Sequence, residues 1–195
     1  MNRGLEIITG CMFSGKTEEL IRRLERVRIA GLPLILFKPS IDDRESKEAT
    51  VTHYGRKFSA TLLDPGMETM ENLRKLVGKD ALKKAVVIAF DQGNFFSEKL
   101  DHLCEQLVSM GKRVIVAGLD LTSDNELFGV MPTLMAKGFP VLKLSAVCVK
   151  CGGVATRSQR LLDGKPASAG GPVIKIGGVG DYEARCRRCH VIGGD

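Results

Sequence analysis

Two clusters in this sequence have the residue types and spacing to do chemistry. The first is Gly10-Cys11-Met12-Phe13-Ser14-Gly15-Lys16-Thr17. Its Gly-x-x-x-x-Gly-Lys-Thr spacing is that of a phosphate-binding loop. The glycines let backbone N–H groups turn inward around phosphate oxygens. A helix that starts at Lys16 adds the positive end of its dipole. Lys16 is placed to reach terminal phosphates and Thr17 to hold magnesium. Such a loop calls for an acid at the end of a neighbouring strand to organise the metal. Asp91 and Asp120 each end an apolar run, and the pattern alone does not choose between them.

The second cluster is a cysteine quartet. Cys148-x-x-Cys151 and Cys186-x-x-Cys189 are separated by 34 residues. Each pair holds one edge of a metal ion, and two pairs complete a tetrahedron. Four thiolates leave no open position, which predicts a closed, structural zinc rather than redox chemistry. His190 is adjacent and redundant in that count. The segment between the pairs is longer than a compact ribbon needs, so it must protrude. Residues 163–182 contain six glycines and two prolines. Long glycine-rich loops in compact domains are either disordered or functional lids. A loop stapled at both ends by zinc reads as a lid whose backbone meets a ligand edge, with Tyr182 packing on it.

These residues need elements to position them. Residues 5–9 read as a strand and 16–29 as a helix, with Leu20, Ile21, Leu24 and Val27 at helical spacing. Arg22, Arg23, Glu25, Arg26 and Arg28 fall on the opposite, solvated face. Further strands are expected at 33–38, 85–90, 113–119 and 141–147. Helices are expected at 67–77 and 97–110, the latter capped by Ser97; 39–60 reads as irregular. Apolar runs without a polar face indicate a parallel sheet covered on both sides. The fold class is therefore α/β, with a phosphate-binding domain at 1–147 and a small zinc-binding lid domain at 148–195. The longest apolar runs are far shorter than the ~20 residues of a membrane span. The start of the chain shows no signal-peptide pattern, so the cytoplasm is the expected location. The net charge of +6 suits a polyanionic ligand, but with eight Phe, two Tyr and no Trp a base-stacking nucleic-acid platform is poorly served. A zinc-ribbon nucleic-acid module driven by an ATPase is the competing class, and it predicts salt-sensitive binding.

Together these pieces resemble the zinc-containing (type II) thymidine kinases. The matching residues are Gly10–Thr17 with Met12-Phe13, Asp42-x-Arg44, Thr52-His53, and Asp91 followed by Phe95-Phe96. They continue with Leu119-Asp120, Phe128-Gly129, 144–151, 155–167, and Tyr182 before the last cysteine pair. The resemblance implies a P-loop NTPase-like sheet and transfer of the ATP γ-phosphoryl group to the 5′-hydroxyl of thymidine or deoxyuridine. It assigns Gly10, Met12, Phe13, Ser14, Gly15, Lys16 and Thr17 to the nucleotide, with Lys16 and Thr17 taking the phosphate and magnesium roles. It assigns Asp91 to metal support and Arg44 to the reacting phosphates. Met12, Phe95, Leu119, Phe128 and Tyr182 would surround the base. A lasso of Lys175, Ile176, Gly177, Gly178 and Val179 would bind it through backbone groups. A homotetramer and feedback inhibition by thymidine triphosphate are also implied.

The departures fall at the chemistry. The family pattern after the strand is Asp-Glu-x-Gln-Phe-Phe, and here it is Asp91-Gln92-Gly93-Asn94-Phe95-Phe96. The family's Glu is read as the base that accepts the 5′-hydroxyl proton. Gln92 has its shape and cannot accept that proton. Asn94 shortens a side chain that shapes the pocket, and Ser123 stands where an aromatic closes on the base. Three readings stay open. The first is a Glu→Gln change of the kind that traps a substrate complex, although the further changes at Asn94 and Ser123 suggest natural divergence. The second is a substitute acid at Glu98 or Asp101. The third is a weakly active or non-catalytic nucleotide-binding relative.

Overall fold

The structure is a computed structural model that describes residues 3–41, 49–51, 57–168 and 180–192. Strand β1 (Gly4–Gly10) runs into the phosphate-binding loop and then helix α1 (Lys16–Ile29). Next come β2 (Leu34–Pro39), a hairpin of β3 (Ala49–Val51) and β4 (Lys57–Ser59), and β5 (Thr61–Leu63). Helices α2 (Met70–Val77) and α3 (Lys79–Lys84) lead to β6 (Val87–Phe90). Then follow α4 (Lys99–Ser109), β7 (Arg113–Gly118), α5 (Met131–Lys137) and β8 (Val141–Leu144). The C-terminal lobe holds β9 (Ala146–Val147), β10 (Val154–Ala155), β11 (Arg157–Leu162), β12 (Lys165–Pro166) and β13 (Tyr182–Arg185).

Six strands pair in the order β5-β2-β6-β7-β1-β8, and every pairing is parallel. The continuous apolar runs explain this, because alternate residues feed opposite cores. Ile7, Ile88, Phe90, Val114 and Val116 pack with residues of α2, α3, α4 and α5. Ile8, Val87, Ala89, Ile115 and Ala117 pack with Leu20, Leu24 and Val27 of α1. Each fully buried leucine in these layers contributes about 2 kcal/mol. A parallel sheet aligns all its carboxyl ends, so the loops after β1, β6 and β7 meet at one edge.

Three expectations need correction. Arg23 does not lie on a solvated face. It bonds Glu6 on β1 at 2.8 Å and Glu19 at 2.8 Å, while Arg113 on β7 reaches Glu6 at 2.6 Å. Glu6 is the acid around which α1, β1 and β7 are tied. The single strand expected over 141–147 breaks in two. β8 runs beside β1 only as far as Gly10↔Leu144; there β1 turns away and leaves no partner, and β9 pairs with β10 instead. Ser97 does cap α4 as expected: its hydroxyl accepts from Lys99 N at 3.3 Å and donates to Glu68 at 2.6 Å. The stretch 39–60 is not wholly irregular, since β3 and β4 form a hairpin within it.

Candidate active site and metal centre

The phosphate-binding loop has the backbone such a loop requires. Gly10 has φ +141°, and a Cβ there would come within 2.2 Å of the Leu144 carbonyl oxygen. Only glycine allows β8 to pass that close. Gly15, at φ 82°, heads α1 and supplies no side-chain cap, so the first N–H groups of the helix face the loop without a side-chain acceptor. The Ser14 hydroxyl is buried with no hydrogen-bond partner. The Lys16 ammonium donates to the Cys11 carbonyl at 2.7 Å, and burial lowers its pKa to about 8. An uncapped helix start, an orphaned hydroxyl and a desolvated cation together fit an anionic phosphate group.

The acid after β6 completes this end of the loop. The Thr17 hydroxyl lies 3.4 Å from both carboxylate oxygens of Asp91, which is 3% exposed. Asp120 forms an ion pair with Lys143 of β8 at 2.6 Å. Both strand-end acids act on Lys16, and Asp91 is the one that also meets Thr17. Gln92 follows in the left-handed region at φ 54°, and its N–H donates to Asp91 at 2.9 Å. Gly93 has no room for a side chain: a Cβ would lie 2.5 Å from Val116 Cγ1 and 2.9 Å from Met131 Sδ. The turn carrying Gln92 is therefore pressed onto β7 and α5.

That turn also organises an apolar wall. Asn94 accepts from Leu119 N at 2.9 Å through Oδ1. Phe95 and Phe128 meet edge to face with centroids 5.7 Å apart. Phe95, Leu119 and Phe128 are thus brought together. Met12 and Tyr182 attach to the second lobe. Met12 N donates to Ser158 Oγ at 3.0 Å, and Tyr182 pairs with Arg160 across β13 and β11. Phe13 is half-buried against the cluster of Cys11, Cys148, Ala155 and Ala184. Arg44 and the lasso residues Lys175, Ile176, Gly177, Gly178 and Val179 lie outside the described residues, as do Asp42, Thr52 and His53. Neither candidate substitute acid faces the turn freely. Asp101 takes two bonds from Lys137 at 2.8 and 2.7 Å, and Glu98 is exposed at the head of α4.

The four cysteines converge. Their sulfur atoms all lie within 4.8 Å of one another, and Cys151 Sγ is 3.7 Å from Cys186 Sγ. A tetrahedron with Zn–S bonds of about 2.3 Å has edges of about 3.8 Å. Hydrogen bonds from the Cys186 backbone and from Lys150 and Cys151 draw Cys148 down to about 6, whereas bonds to Cys186 and Cys151 push Cys189 up to about 12. The donor set and spacing fit a closed zinc site.

Sequence reasoning missed several supports. Glu68, 2% exposed, accepts from Gly66 N, Ser97 N and Ser97 Oγ, which anchors the segment after Phe95 and Phe96. A glutamate after Pro-Gly-Met looks like solvent-facing surface, so no sequence signal marks it. Ser158 and Gln159 sat inside a recognised stretch without an assigned role.

Comparison with known proteins gives one consistent result. A family model described as "Thymidine kinase" matches residues 3–190. The thymidine kinase of Halobacterium salinarum is 42% identical over 188 residues, covering 96% of this chain and 94% of that protein. The thymidine kinase of Coprothermobacter proteolyticus is 45% identical over 190 residues, covering 97% and 91%. That of Haloquadratum walsbyi is 39% identical over 213 residues, covering 96% and 95%.

Proposed function

Because this chain belongs to the thymidine kinase family, we propose that it transfers the γ-phosphoryl group of ATP to the 5′-hydroxyl of thymidine or deoxyuridine. The observation that carries this reading is the contact of Thr17 with Asp91 at the head of α1, beside a phosphate loop with an orphaned Ser14 hydroxyl. Phosphoryl transfer needs positioning and charge neutralisation more than covalent help. Gly10, Met12, Phe13, Ser14 and Gly15 supply backbone groups around the phosphates, and Lys16 supplies the charge. Thr17 and Asp91 would hold magnesium, which would offset charge on the phosphates. Arg44 lies in the segment assigned to the reacting phosphates. Met12, Phe95, Leu119, Phe128 and Tyr182 would surround the base, and backbone groups of 175–179 would bind it.

The division into 1–147 and 148–195 belongs to this reading, with the second part serving as a zinc-held lid. So do a homotetrameric assembly, thymidine triphosphate as a feedback inhibitor, and a cytoplasmic place in pyrimidine salvage. No helix among the described residues is long and apolar enough to cross a membrane. A second reading, a nucleotide-binding relative with little or no turnover, is favoured by Gln92 alone. Incubation with ATP, magnesium and thymidine, followed by chromatography for thymidine monophosphate, separates the two. Product formation supports the first. Tight ATP binding with no product from any pyrimidine deoxynucleoside selects the second.

Lys16 makes a further prediction. Burial favours its neutral form, and a bound phosphate restores the charged form. ATP binding at pH 8 therefore draws in about half a proton. Calorimetry in two buffers of different ionisation enthalpy reads that uptake directly. The buffer dependence is expected to vanish in Lys16→Arg, whose guanidinium stays charged. Equal heats in both buffers for the unaltered chain would count against a lowered Lys16.

A further inference from the structure

His190 follows the last cysteine and adds nothing to a closed four-thiolate site. Its surroundings give it another task, and the argument rests on the nucleoside-kinase reading above. The backbone on both sides of it is pinned. Gln159, 2% exposed, accepts from Val191 N at 2.8 Å and donates to the Val191 carbonyl at 2.9 Å. Arg185 bonds Gln159 Oε1 at 3.2 Å and the Cys189 carbonyl at 3.3 Å. The His190 N–H donates to the Cys186 carbonyl at 3.0 Å. The imidazole is thus carried rigidly by the metal-binding knuckle.

The ring reaches the turn between β7 and α5. Nδ1 lies 3.5 Å from Asn125 Nδ2, and backbone hydrogen-bonding groups of Ser123 and Ser158 act on the ring. His190 Nε2 and Asn125 Oδ1 are both buried and find no other partner. The turn is internally tied. Leu121 bridges Leu127, Thr122 N donates to the Glu126 carbonyl at 2.9 Å, and Asn125 N donates to the Thr122 carbonyl at 3.2 Å. A turn bonded this way moves as one piece. Just beyond its two ends sit Leu119 and Phe128, the wall assigned to the base. On its other side, Ser158 holds Met12 N at 3.0 Å.

We propose that His190 is a positioning residue that fixes the 121–127 turn to the cysteine-held lobe and so sets the nucleoside pocket before substrate arrives. Ordering the turn in advance lowers the cost of binding the nucleoside. It does not touch the phosphate loop. The effect should therefore appear in nucleoside affinity and leave ATP affinity alone.

The test uses the full chain, thymidine and a non-hydrolysable ATP analogue in calorimetry, with zinc measured in each variant. His190→Ala is expected to weaken thymidine about fivefold, the effect of losing one modest polar contact, with analogue Kd within twofold and zinc retained. Asn125→Gly removes the other partner while tolerating the φ of 65° found there, and it should give the same shift. The double variant should add little to His190→Ala, which already removes the contact with Asn125. His190→Gln, which keeps a polar group at similar reach, should recover most of the affinity. Unchanged thymidine affinity in His190→Ala, fully additive effects, or loss of zinc would each overturn the proposal. An unaltered chain that binds the ATP analogue and no pyrimidine deoxynucleoside would instead overturn the substrate reading.

Discussion

Replacing Gln92 by glutamate is expected to raise kcat for thymidine by about 10²–10³-fold, the usual worth of a positioned base. The two side chains have the same length, and the left-handed backbone at position 92 strains both equally, so the exchange isolates the proton acceptor. Among the described residues, the nearby acids Asp91 and Asp101 are already committed. Asp91 is turned to Thr17 and to the Gln92 N–H, and Asp101 is committed to Lys137. A glutamate there would sit beside Asp91, whose charge disfavours ionisation and keeps the new carboxyl basic. The expected readout is a single-turnover rate at saturating ATP and thymidine. It should climb with pH in Gln92→Glu along a limb that the unaltered chain lacks. If the unaltered chain already turns over at about 1–100 s⁻¹, as kinases commonly do, and the variant gains less than about threefold, position 92 does not carry the base.

The contrast between Asp91 and Asp120 shows how far sequence reasoning reaches. Both ended apolar runs, and that pattern cannot say which strand lies nearer the phosphate loop. Sheet order does not decide it either. β7 lies directly beside β1 and β6 one strand further out, yet the turn after β6 brings Asp91 to Thr17 while Lys143 takes Asp120. The phosphate loop, α1 and the cysteine quartet were legible because their chemistry is local and their spacing is fixed by one helix start or one knuckle. Arg23 was misread for the opposite reason. Helical periodicity placed it outward, and only the distant Glu6 on β1 draws it in. The Gln159 clamp on Val191 spans 32 residues of sequence, with no pattern to announce it.

Loss of zinc should remove the C-terminal lobe as a folded unit, because the apolar core it shows among the described residues is small. Its buried cluster consists of Cys148, Ala155 and Ala184, packed against Cys11 of the phosphate loop. Alanines and cysteines bury little apolar surface, so transfer from water contributes only about 1 kcal/mol each. Structural zinc at four thiolates contributes roughly 10 kcal/mol, far more than this cluster can. Cys151→Ser is therefore expected to abolish zinc retention and weaken thymidine at least about 100-fold. Hydrogen exchange should rise to unprotected rates across β9, β10, β11 and β13 and stay slow in β1, β6 and β7. ATP affinity should also fall, by a smaller factor, since the lobe lends Ser158 to Met12 N and the Ala155 carbonyl to Cys11. A variant that loses its zinc yet keeps slow exchange in β11 and full thymidine affinity would show that packing alone holds the lobe.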